Sequence, residues 1–120
     1  IGAPPVKPSA RVRGGGSKAE VTGSLDPEVV RRHVKRHVGE VRSCYEKALA
    51  ADPSLAGKLT LTFTIRPDGT VSSSRISAST VPGDEVGDCV VAASKRWTFP
   101  EPEGGGAVVV NYPFVLASSG

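Results

Sequence analysis

His33 and His37 stand four residues apart, the spacing that turns two imidazoles to one face of a helix and toward one metal ion. His33 is not followed by the Glu of a zinc-protease helix, and Arg31, Arg32, Lys35, Arg36 and Arg42 would oppose a divalent cation. Two solvent-facing helical histidines and no metal site are the expectation. Cys44 and Cys89 offer other chemistry, but without a Cys-x-x-Cys pair a redox enzyme is not expected. Ser, His and Asp are all present with no nucleophile-elbow pattern around them. The runs Gly14–Gly16 and Gly104–Gly106 lack the Lys and Ser/Thr of a phosphate loop and read as hinges. No catalytic residue and no cofactor is expected.

Both cysteines fall on the apolar stripes of segments with helical periodicity. A disulfide between Cys44 and Cys89 is therefore expected, closing a loop of about 45 residues with roughly 4 kcal/mol of loop entropy in the chain-entropy model. Two separate buried thiols are the alternative.

The elements that must carry these residues are legible from periodicity. Asp26-Pro27 is a helix start, with Asp as N-cap and Pro in the first turn. Val30, Val34, Val38, Val41, Tyr45, Ala48 and Leu49 then recur at threes and fours, giving one amphipathic helix with a slight bend at Gly39. After Gly57 the period becomes two: Leu59, Leu61, Phe63 and Ile65 alternate with Thr60, Thr62 and Thr64. Pro67-Asp68-Gly69 is a tight turn into a weaker, Ser-rich strand over 71–79, where a β-bulge would reconcile Val71 with Ile76. A second helix follows Gly83-Asp84, with Val86, Cys89, Val90, Ala93 and Trp97 as its stripe. The segment Ala107 to Ala117 is a third strand, placed at a sheet edge because Pro113 cannot donate to a ladder.

The order α-β-β-α-β implies a two-layer α+β domain over 25–118. A three-stranded antiparallel-type sheet, in spatial order 2-1-3, carries two helices on its Leu59/Phe63 face. The first strand is central and the third is an edge. The chain has 120 residues, of which 14 are Gly and 10 are Pro. Eight of those glycines and prolines lie in residues 1–24, which are expected to form a flexible linker. Formal charge is +2 over residues 1–26, +3 over 27–51 and −2 over 52–120. A nucleic-acid binder usually has a larger and more continuous excess, and a base-stacking sheet presents aromatics where this one presents Thr60, Thr62 and Thr64. No apolar run is long enough to span a membrane, and the chain, opening at Ile1 without Met, reads as a piece of a longer protein.

RPDGTV (66–71) after an alternating strand, KRWTFPEP (95–102), and a Gly-rich step into VVVNYPFVL (108–116) together resemble the C-terminal domain of TonB-type energy-transducing proteins. SCYEKALAADPSLAGK (43–58) and Cys89 bring it nearer a myxobacterial branch, the AgmX/PglI type associated with adventurous gliding motility. The resemblance covers roughly residues 28–116. It implies a periplasmic domain, tethered by a spacer to an inner-membrane anchor, that contacts outer-membrane proteins within a trans-envelope machine driven by the proton gradient. Two cysteines and a basic first helix depart from TonB itself.

The expected function is therefore a non-enzymatic protein-interaction module. It would bind an extended segment of a periplasmic or outer-membrane protein by adding it to the edge strand at Val108, Val109, Val110, Asn111 and Tyr112. The alternatives are an envelope-polymer (peptidoglycan) binder using the basic surface of Arg31, Arg32, Lys35, Arg36 and Arg42, and a purely structural dimerisation domain. No nucleic acid and no small-molecule substrate is expected.

Overall fold

A computed structural model describes residues 9–14 and 19–119. Its elements are β1 (Ser9–Gly14), β2 (Glu20–Thr22), α1 (Pro27–Arg36), α2 (Val38–Ala51), β3 (Gly57–Ile65), β4 (Val71–Ser79), α3 (Glu85–Ser94), a single 3-10 turn (Glu103–Gly105) and β5 (Val108–Ser119). The described residues form an α+β architecture, with an antiparallel sheet and three α-helices.

Asp26 caps α1 as the sequence requires, its side chain accepting from the Glu28 N–H at 2.8 Å. The expected single long helix is two. It breaks at His37, whose φ of −103° and ψ of 3° leave the helical region. Gly39 is not the hinge; it lies inside α2. The His37 side chain is occupied elsewhere, which fixes the break. Its Nδ1–H donates to Glu40 Oε2 at 2.6 Å, and its ring stacks on Trp97 at 4.9 Å.

Within the sheet, β4, β3 and β5 are neighbours in the expected order, with β3 central. The bulge inferred from Val71 and Ile76 is present twice, once between Thr60 and Leu61 and once between Thr64 and Ile65 of the facing strand. Each bulge resets the pairing, so Val71 faces Ile65 and Ile76 faces Leu61 on the core side. Leu59, Leu61, Phe63 and Ile65 are buried with Val108, Val110, Tyr112, Phe114 and Leu116 beneath the helices. Among the described residues, no helix lies over the Thr face of β3, which opens into a shallow depression.

Two expectations need correction. The sheet has five strands rather than three, and β5 is not a free edge. Residues 9–14 and 20–22, expected within a flexible linker, pair antiparallel with the outer side of β5 as β1 and β2. Linker residues 1–8 and 15–18, including Pro4, Pro5, Pro8, Gly15 and Gly16, lie outside the described residues. The physical reason for the correction is that the unsatisfied backbone ladder of β5 recruits any extended segment within reach. Such a segment needs few apolar side chains of its own: Val12 and Val21 face the core, and Arg11, Arg13 and Glu20 face water.

Candidate interaction edge

The direction of each β5 amide follows from one pair of hydrogen bonds. The Lys58 N–H donates to Thr80 Oγ1 at 2.8 Å, and the Lys58 carbonyl accepts from the Thr80 N–H at 2.9 Å. Both groups of Lys58 thus face the β4 side, and antiparallel alternation makes Thr60, Thr62 and Thr64 do the same. The carbonyls of Thr60 and Thr64 indeed accept from the hydroxyls of Ser77 and Ser72 on that side. The β3–β5 register runs unbroken from Gly57↔Leu116 to Ile65↔Val108. Hence Val109, Asn111, Pro113 and Val115, which face those residues, turn their backbone groups outward. Val108, Val110, Tyr112 and Phe114 turn theirs toward β3.

Of the expected edge residues, Val109 and Asn111 therefore present the outer ladder, while Val108, Val110 and Tyr112 hold the strand to the body. The outer ladder is engaged by Thr22 opposite Val109, Glu20 opposite Asn111, and Arg13 opposite Val115. Between them stands Pro113, which turns outward with no N–H to offer. Among the described residues, β1 reaches Gly14 opposite Phe114 and β2 starts at Glu20 opposite Asn111. Position 14 suits glycine for a steric reason: a Cβ there would meet the hydroxyl of Tyr112 and lie 3.0 Å from its Cε1. Burial pushes the Tyr112 hydroxyl pKa up, opposed in part by the positive charge of Arg31.

The basic surface is not one patch. Arg31 is half-buried, with Nη1 donating to Glu28 at 2.6 Å. Arg32, Lys35 and Arg36 are exposed together on α1, and Arg42 is exposed beyond the break, on α2. The two histidines do not simply face solvent. His33 Nδ1–H donates to the Val29 carbonyl at 2.8 Å and its ring lies 5.9 Å from Phe99, while His37 packs on Trp97. Glu40, which sequence reasoning overlooked, accepts from His37 and from the Trp97 indole N–H at 3.4 Å. The aromatic pairing explains the histidines: they are packing residues over the end of α3. No group of three His, Cys, Asp or Glu suited to a metal occurs among the described residues.

Cys44 and Cys89 form a disulfide that ties α2 to α3, with Cα atoms 5.7 Å apart. No described helix is long and apolar enough to cross a membrane.

No protein-family model matches the chain, and no curated protein matches it. Among solved structures, the chain is similar to the NMR solution structure of Helicobacter pylori TonB-CTD (residues 179–285). The two share 14% sequence identity and a TM-score of 0.45, with 82% of this chain and 98% of that one covered. A similarity of that size assigns neither family nor activity.

Proposed function

We propose that this domain is a periplasmic protein-interaction module that takes an extended segment of a partner along the outer side of β5, in the place held by β2 and β1. The observation that carries the reading is the state of that edge. Its outward backbone groups at Val109, Asn111 and Val115 are engaged by the chain's own β2 and β1, and β2 is only Glu20–Thr22. A three-residue strand contributes little pairing energy and frays readily. A partner segment that bridges 109–115 continuously would displace it. The RPDGTV, KRWTFPEP and VVVNYPFVL motifs support a TonB-type role between inner and outer membranes, and the AgmX/PglI-type features support a gliding-motility machine as its setting. The Cys44–Cys89 disulfide fits an oxidising compartment.

The test uses the full chain as bait for outer-membrane and periplasmic proteins, with cross-links mapped by residue. Val109→Pro removes one outward donor and none that serves β3, so it should weaken capture while leaving thermal stability nearly unchanged. Charge reversal at Arg32 and Arg36 should leave capture intact. If those reversals abolish capture and proline at 109 does not, the basic surface of α1 is the site.

A further inference from the structure

We propose that the open face of the sheet binds an acidic polysaccharide, at a surface distinct from the β5 edge. The register brings four cations to this face. Arg13, Val115 and Lys58 stand side by side on β1, β5 and β3, Arg11 stands opposite Ala117, and Arg75 of β4 stands opposite Thr62. Cross-strand partners point to the same face, and all four cationic side chains are exposed. One carboxylate, Glu20, shares the face from its place opposite Asn111. None of the four cations is in an ion pair among the described residues. In sequence they lie between residues 11 and 75, so only the fold makes them a group.

The surroundings narrow the ligand class. Lys58 and Arg75, with the single carboxylate of Glu20, line a shallow depression of about 590 Å³ together with Thr60, Thr62 and Asn111. A protein interface would need an apolar or aromatic anchor at its centre. Among the described residues, the exposed large apolar side chains are Val109 and Val115, at 39% and 41%, and Asn111 and Pro113 separate them along the strand. Single-stranded nucleic acid would need aromatics to stack on, and the face has none. What remains is a hydroxyl- and amide-lined floor under separated cations, of which Arg13 and Lys58 stand two strands apart, about 10 Å. That arrangement suits a hydrated chain of sugars bearing separated carboxylates, held by hydrogen bonds and unpaired positive charge. Lys58 and Arg75 belong to β3 and β4, which no displacement of the N-terminal strands would move. The Lys58 and Arg75 half of the face therefore persists when a partner occupies the β5 edge, whereas Arg11 and Arg13 belong to β1.

The probe is oligogalacturonate titrated into the isotopically labelled full chain, followed by amide shifts, with dextran and poly-glutamate as comparisons. Saturable shifts on β3 and β4 around Thr60, Thr62 and Arg75 are expected with oligogalacturonate, lost in high salt and absent with dextran. The pair Lys58→Glu and Arg75→Glu should lower affinity by about tenfold or more, as the loss of two exposed charge contacts implies. Arg32→Glu should leave affinity unchanged. Should the double reversal unfold the chain, Lys58→Ala with Arg75→Ala is read instead, with a loss of several-fold expected. The proposal is overturned by no saturable shift, by shifts confined to 31–42, by equal binding of dextran, or by tighter binding of poly-glutamate, which would make the face an acidic-protein site.

Discussion

The backbone of Gly14 lies against the phenol of Tyr112, in space that any other side chain would fill. This close approach ties the last residue of β1 to a tyrosine buried in the core face of β5. Gly14→Val should expel the end of β1 without disturbing the helices. Overpacking of this kind costs about 1–3 kcal/mol, and chemical denaturation should show a loss in that range. The near-ultraviolet signal of Trp97 should be unchanged.

Removing the covalent tie between α2 and α3 should cost more. With a separation of 45 residues, the Cys44–Cys89 bond contributes about 4 kcal/mol in the chain-entropy model. The pair Cys44→Ser and Cys89→Ser should lower the denaturant midpoint by a corresponding amount. Reductant should shift the unmodified chain the same way and leave the double variant unaffected.

Gly69 is the turn residue that the sequence pattern demanded, and the fold adds a second demand. Its φ is +90°, and a Cβ there would collide with the carbonyl of Phe99, whose N–H donates to the Gly69 carbonyl at 2.8 Å. Gly69→Ala combines backbone strain of about 1–3 kcal/mol with loss of that contact. Equilibrium unfolding should place it among the most damaging single changes in the chain.

In the same turn, the Thr70 hydroxyl and then the Thr70 N–H donate to the Asp68 carboxylate, at 2.6 and 3.0 Å, and hold its pKa below the ordinary aspartate value. A carboxyl depressed on folding adds stability that is present above its unfolded pKa and is lost as pH falls through the folded one. The contribution from Asp68 is therefore full above about pH 4 and fades below it. A carboxyl NMR titration should find Asp68 low, and Thr70→Val should move it back toward the ordinary value.

How much of this was legible in the sequence depends on how far each feature is a local matter. The alternation of Leu59 to Ile65, the Asp26 cap and the misfit of Val71 with Ile76 are local patterns, and each has its counterpart in the fold. The Cys44–Cys89 bond was legible because each cysteine sits on an apolar stripe. The break at His37 was not, because its cause is tertiary: Trp97, far along the chain, stacks on the imidazole, while Gly39 supplies only permissive backbone. Nor were β1 and β2 legible. Single inward valines at 12 and 21 make no period, and their pairing is dictated by the exposed ladder of β5. The strand over 108–116 is thus legible in the sequence, and its occupied outer side is not.

Native-state hydrogen exchange tests the central claim most directly, because it needs no partner. The outward amides of Val109 and Asn111 should exchange through a local opening, at a free energy well below that of Val110 and Phe63 in the body of the sheet. If Val109 and Asn111 exchange only with global unfolding, β2 is a fixed part of the sheet, and the outer side of β5 is not a site that a partner's strand can enter.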